Sequence, residues 1–356
     1  MNLTEFGWRC DSRIADAFSP FAEAGFVAAR VALEHRGNYQ LCTEYGEVPA
    51  VLPGQFRYQV QGPESYPAVG DWVVARLHDG ASHATIHHVL PRQSQFVRKA
   101  AGLRTEAQVV AANVDTVFLM SGLDHDFNLR RIERSLVLTF ESGASPVIVL
   151  NKADSCADLD GAMAAVALIA LGVPLIAISA LTGDGTGALA SYLQPGQTVA
   201  LIGSSGVGKS TLTNFFLGAA VQETQAVRAD DQRGRHTTTY RHLLRLPSGA
   251  LLIDTPGMRE LQLWSGSDGL EATFSEIDEL AEHCRFRDCQ HGQEPGCAVQ
   301  AAISSGDLDP ARFHSYQKLQ REQRYLAERQ DGLASLNTKR RWKSIHKAMR
   351  HHPKYK

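Results

Sequence analysis

Gly203-Ser204-Ser205-Gly206-Val207-Gly208-Lys209-Ser210, continuing into Thr211, fits the phosphate-loop pattern G-x-x-x-x-G-K-[ST]. The apolar, β-prone run Thr198–Ile202 precedes it and Thr211–Leu217 can open a helix, so a strand, a glycine loop and a helix N-terminus are expected in succession. Glycines let the backbone N–H groups from Ser204 to Gly208 curl around phosphate oxygens, and the helix dipole favours the negative charge. Lys209 is expected to reach the β- and γ-phosphates and Ser210 to ligate Mg²⁺.

Working outward, Asp254-Thr255-Pro256-Gly257 follows the apolar strand Leu251–Ile253. An acid ending a strand near a phosphate loop can hold Mg²⁺ through water, and the Gly257 N–H can bond the γ-phosphate. Asn151-Lys152-Ala153-Asp154 follows the strand Val147–Leu150. A carboxylate at Asp154 can accept from guanine N1–H and the exocyclic amine, donors that adenine lacks there. Ser179-Ala180 suits a backbone contact to guanine O6. Gly234-Arg235-His236-Thr237-Thr238-Thr239 lies between loop and Asp254; a threonine here, with Thr238 as candidate among the three, would close on Mg²⁺ and the γ-phosphate. These are five GTPase motifs in a permuted order, with the guanine-reading pair ahead of the phosphate loop. The switch containing Gly257 therefore runs straight into the C-terminal segment. Met258 stands where many GTPases carry a water-orienting Gln, which leaves His236 as the candidate for that work.

Strands alternate with helices from Val114 to about Ile253, which predicts an α/β domain with a mainly parallel sheet. Before it, from Gly25 to about Arg98, short β-like runs punctuated by Gly37-Asn38, Pro53-Gly54 and Asp79-Gly80 predict a small barrel or sandwich, and a five-stranded OB-type barrel fits the length. One of those expected strands is Phe56–Val60, and residues 1 to about 20 show no clear period. Past Glu271 the chain reads as helical. Three segments follow: 1–98, an N-terminal extension and RNA-binding barrel; 99–270, the permuted GTPase domain; 271–356, a zinc-binding helical domain with a basic tail.

The 356 residues carry a net charge of −2, which excludes no partner class, but Lys339–Lys356 holds eight Lys or Arg and no acid, with Trp342 and Tyr355 available to stack on bases. RNA is the expected partner of that tail. Cys284, Cys289, His291 and Cys297 give three thiolates and one imidazole, a set that holds a structural Zn²⁺ tetrahedrally. The remaining cysteines are scattered, which excludes a secreted disulfide framework. Ala162–Leu181 is uncharged and long enough to span a bilayer, yet Gly172 and Pro174 split it into a helix and a strand. No membrane partner is expected, and the chain reads as cytoplasmic.

Motif order, G-R-H-T-T-T at 234–239 and the Cys/His cluster together resemble the RsgA (YjeQ) family of ribosome small-subunit-dependent GTPases. The resemblance spans the whole chain. It implies a late assembly factor of the 30S subunit that contacts 16S rRNA, a GTPase stimulated by that subunit, and His236 as the catalytic histidine. A monomer is expected, with Mg²⁺ accompanying GTP and one structural Zn²⁺. Two other readings stay open: a nucleotide-gated RNA-binding protein with vestigial hydrolysis, and a metabolic NTPase or kinase acting on a small molecule.

Overall fold

The computed structural model describes residues 2–10, 12–35, 37–59, 62–99, 107–218, 241–254 and 268–328. A 3₁₀ turn at Leu3–Phe6 and helix α1 (Arg13–Ala22) come first. The Ser12 hydroxyl caps α1 by accepting the Ala15 N–H at 3.3 Å. Sequence reading found no period here, although Ile14, Ala17, Phe18 and Phe21 recur at helical spacing and pack against one core.

Strands β1 (Val27–His35), β2 (Asn38–Thr43) and β3 (Gly46–Val51) form an antiparallel meander. Helix α2 (Gly54–Gln59) follows, then β4 (Trp72–His78) and β5 (His83–Val89). β5 pairs with β3 in parallel and with β4 antiparallel, and β4 returns to β1, closing a five-stranded barrel. The strand expected at Phe56–Val60 is replaced, over its described part, by α2. The Pro53 carbonyl accepts the Phe56 N–H at 3.0 Å, and the helical turn sets Phe56 into the barrel core beside Tyr66. An alternating F-R-Y-Q pattern fits either state; burial of one phenyl ring decides it.

β1 shows the period-2 logic of a strand serving two cores. Ala29 and Val31 face the barrel interior with Leu41, Val73 and Ile86. On the opposite face Ala32 joins Trp72, Val74, Val117 and Leu119 in the core shared with the α/β sheet. Arg30 lies on that face and is buried. Its guanidinium donates to Gly70 O at 3.2 Å, Asn113 O at 3.0 Å, Thr198 Oγ1 at 2.8 Å and, by a short contact, Phe6 O. Burial pushes its pKa down to about 10, so it stays charged at neutral pH. Arg30→Met strands several buried carbonyls and is expected to cost about 3 kcal/mol or more in a urea unfolding titration.

A hairpin of β6 (Gln95–Lys99) and β7 (Ala107–Ala112) leads into the α/β part. There β8 (Thr116–Gly122), α3 (Leu129–Ser142), β9 (Ser145–Asn151), α4 (Leu159–Ile169) and β10 (Leu175–Ile178) alternate. After a 3₁₀ turn at Thr186–Tyr192 come β11 (Thr198–Gly203), α5 (Lys209–Leu217), β12 (Arg241–Arg245) and β13 (Leu251–Asp254). The strand order is β10-β9-β8-β11-β13-β12, parallel except for β12. β12 also pairs with the end of β1, Leu33 opposite His242, so barrel and sheet share one hydrogen-bonded surface. Val147–Leu150 is an unbroken apolar run because helices and turns cover both faces of the sheet. The uncharged stretch 162–181 falls on the end of α4, a turn at Gly172 and β10. Among the described residues no helix is long and apolar enough to cross a membrane.

The helices α6 (Asp268–Thr273), α7 (Ser275–Glu282), α8 (Ala298–Ser305) and α9 (310–328) belong to a second compact unit. Arg312 of α9 is buried within it. Its Nη2 donates to Thr273 O at 2.8 Å, its Nε pairs with Glu276, and its guanidinium lies 4.7 Å from the Phe274 ring centre.

Candidate nucleotide and metal sites

β8, β9, β10, β11 and β13 all end at the same edge of the sheet, the carboxyl edge where open α/β sheets bind ligands. That geometry brings Asn151, Ser179 and Gly203 together and places Asp254 at the end of the strand beside β11.

The phosphate loop runs from β11 into α5 as the sequence indicates. Gly208 caps the helix at φ 102°, and a Cβ there would lie 2.1 Å from Asn151 Nδ2, so only glycine fits. A Cβ on Gly203 would lie 2.5 Å from Met120 O on the neighbouring strand. Val207 is buried and anchors the loop in the core under the sheet edge. Lys209 Nζ donates to Gly203 O at 2.8 Å and to Ser204 O, spanning the loop's own carbonyls. Ser210 and Thr211, in the first turn of α5, are half-buried; Ser205 and Gly206 at the tip are exposed.

Asn151 ties three segments together. It is buried; its Nδ2 donates to Val207 O at 2.7 Å and its Oδ1 accepts the Ala180 N–H at 2.8 Å. The N-K-x-D turn, the Ser-Ala turn and the phosphate loop are therefore one hydrogen-bonded object. Ser179 and Ala180 are buried beneath it, whereas Asp154 is exposed on a 3₁₀ turn, open to a ligand. Lys152 adopts left-handed backbone, φ 69°, and its Nζ contacts Asp124 Oδ2 at 2.6 Å.

Sequence reading overlooked Asp124 and Asp126, which follow β8 at this same edge. An acid two residues past a strand end, in a chain whose ligand edge is already known, was the available signal. Burial works against both carboxylates. Hydrogen bonds from Lys152 to Asp124, and from Arg131 and Ser204 to Asp126, outweigh it and hold both below the ordinary aspartate value.

Of the remaining expected residues, His236, Thr238 and Gly257 lie outside the described residues, as does the basic tail from Lys339.

The second unit brings Cys284, Cys289, His291 and Cys297 together, with one donor atom from each inside 4.8 Å of the others. Cys284 Sγ to His291 Nδ1 is 3.6 Å, Cys297 Sγ to His291 Nδ1 is 3.6 Å, and the Cys284–Cys297 sulfurs are 3.9 Å apart. A tetrahedron with metal–sulfur bonds near 2.3 Å and metal–nitrogen near 2.0 Å has edges of about 3.5–3.8 Å. The donors fit a structural zinc. Gln300 Nε2 holds His291 O at 2.7 Å, and Cys297 caps α8. His283 turns away and bonds Glu279 O, so it is not a ligand. Removing metal from the reduced protein with a chelator is expected to raise hydrogen exchange across 284–305 by at least about tenfold, with β8–β11 unaffected.

A family model described as RsgA GTPase matches residues 89–264. The small ribosomal subunit biogenesis GTPase RsgA of Opitutus terrae is 50% identical over 98% of this chain and 97% of its own length. The chain belongs to the RsgA family. A second relative, small ribosomal subunit biogenesis GTPase RsgA 1 of Oceanobacillus iheyensis, is 47% identical over 90% of this chain and 91% of its own. Among solved structures, YjeQ from Thermotoga maritima is 28% identical with a TM-score of 0.62, covering 84% of this chain and 98% of that one. YloQ, described as a circularly permuted GTPase, shares the fold at 23% identity and a TM-score of 0.60, covering 86% and 96%. Membership in the RsgA family accounts for a closed barrel, a permuted α/β GTPase domain and a Cys₃His cluster within one chain.

Proposed function

We propose that this chain hydrolyses GTP as a late maturation factor of the small ribosomal subunit, contacting 16S rRNA, with turnover stimulated by the subunit. The observation that carries this is the convergence of Gly203–Ser210, Asn151–Asp154 and Ser179–Ala180 at one sheet edge, in a chain half identical to a small-subunit biogenesis GTPase. Its division into barrel, GTPase and zinc segments at about 98 and 270 belongs to the same reading.

In this reading Asp154 takes the guanine edge, and Ser179-Ala180 offers its backbone to O6. Lys209 and the loop N–H groups stabilise the charge that develops as water attacks the γ-phosphate in line. Ser210 and Thr238 would hold Mg²⁺, with Asp254 behind them through water, and the ion would supply further positive charge to the phosphates. Gly257 bonds the γ-phosphate, and His236 orients or deprotonates the attacking water in place of the glutamine that Met258 displaces. Zn²⁺ braces the second unit, and the basic tail and barrel supply RNA contacts.

The test is GTP turnover with and without purified small subunits. Stimulation is expected; equal rates overturn the assembly-factor reading. His236→Ala is expected to lower the stimulated kcat about 100-fold while GDP affinity is retained. An unchanged rate in that variant supports a nucleotide-gated RNA-binding protein instead.

A further inference from the structure

The turn after β8 carries two acids that the guanine and phosphate motifs leave without a role. The Leu123 N–H donates to Asn151 O at 2.8 Å, pinning this turn beside the end of β9. The Asp126 N–H donates to Asp124 Oδ1 at 3.0 Å, so both carboxylates ride on one tight turn. From there they diverge. Asp124 Oδ2 accepts from Lys152 Nζ at 2.6 Å, on the base-reading side. Asp126 Oδ2 accepts from Ser204 Oγ, inside the phosphate loop, while its Oδ1 takes Arg131 Nη1 at 2.6 Å.

Each contact restrains something that the chain leaves loose. Lys152 has a long, rotamer-rich side chain on a left-handed backbone. Fixing its ammonium stretches the stem from the end of β9 to the turn after β8, next to Asp154. Ser204 carries one of the carbonyls that Lys209 grips, so orienting Ser204 orients the anchor of the phosphate-binding lysine. A pre-set site binds more tightly because less freedom is lost on binding.

We propose that Asp124 and Asp126 are positioning residues for the guanine nucleotide, Asp124 acting through Lys152 and Asp126 through Ser204. This rests on the nucleotide assignment of Gly203–Ser210 and Asn151–Asp154. The turn is a two-headed brace: one carboxylate sets the base side, the other the phosphate side. Asp124→Asn, nearly isosteric, removes the charge that holds Lys152; Asp126→Ala removes the acceptor of Ser204.

The experiment is titration of the full chain with mant-GDP, together with GTP turnover, for Asp124→Asn, Asp126→Ala, Lys152→Ala, Ser204→Ala and the two matching double variants. Each single variant in the turn is expected to weaken mant-GDP about fivefold, with the loss falling on KM for GTP rather than on kcat. Each double variant is expected to bind no more weakly than Lys152→Ala or Ser204→Ala alone, which a merely structural role would not produce. If Asp126→Ala does not fold, Ser204→Ala breaks the same hydrogen bond from the loop side and is expected to show the same fivefold loss. Wild-type affinity in the single variants, or losses that add in the doubles, overturns the brace. Failure of the wild-type chain itself to bind mant-GDP overturns the nucleotide assignment and the brace with it.

Discussion

Lys209→Ala is expected to weaken GTP binding about 10³-fold and to abolish measurable turnover, with the fold intact. The size follows from what an ammonium does beside a triphosphate. It forms charge-assisted hydrogen bonds at a helix N-terminus that already favours anions, in a loop partly screened from water. The same charge acts again as the γ-phosphoryl group leaves, so the variant loses ground-state affinity and transition-state stabilisation together. Folding is expected to survive because Lys209 is half-buried at the surface of the loop, and its Nζ contacts there are with the carbonyls of Gly203 and Ser204. The loop's shape is held by other means: Val207 in the core, Asn151 bonded to Val207 O, and the close approach of Gly203 to Met120 O. Isothermal titration with GTP and a thermal melt on the same sample separate the two effects. A melt that drops with the affinity would mean that Lys209 supports the loop rather than the ligand.

The phosphate loop, the Asn151–Asp154 turn and the zinc ligands were legible because their chemistry dictates residue types at fixed short spacings. Only glycine tolerates Gly208's φ and its contact with Asn151, and only Cys or His side chains present soft donors within a few residues of one another. The barrel was legible as a set of strands, from alternation and turn residues, although the same alternation misassigned α2. What stayed hidden is long-range. Arg30 reads as an ordinary surface residue of β1 until Gly70, Asn113 and Thr198 are brought around it from distant parts of the chain. The role of Asp124 likewise depends on a lysine 28 positions away. No local pattern encodes a partner that only the sheet order supplies. The permutation is the opposite case: it is plain in the order of motifs, and the sheet sets β8, which precedes the phosphate loop in the chain, and β13, which follows it, on either side of β11.

Asp154→Asn is expected to lower affinity for GTP about 10³-fold and to create affinity for xanthosine triphosphate. Guanine presents two donors, N1–H and the exocyclic amine, and an ionised carboxylate accepts both. An amide in its place offers one acceptor and one donor group, so the guanine amine meets another amine and one buried polar contact is left unmade. Sites built on such contacts reject the wrong partner by several orders of magnitude, because the penalty is desolvation without a replacement bond. Xanthine carries a carbonyl where guanine carries the amine, so the variant's side-chain amide can donate to it and the pairing is restored. The structure makes the exchange clean. Asp154 stands exposed on its 3₁₀ turn, while the turn itself is held from beneath by Asn151, which bonds both Val207 O and the Ala180 N–H. The substitution therefore changes the reading edge without disturbing the frame that carries it. Competition binding with guanosine, xanthosine and adenosine triphosphates checks the outcome. Equal loss for guanosine and xanthosine nucleotides would place the base against some other residue, whereas a crossover in preference assigns the guanine edge to Asp154.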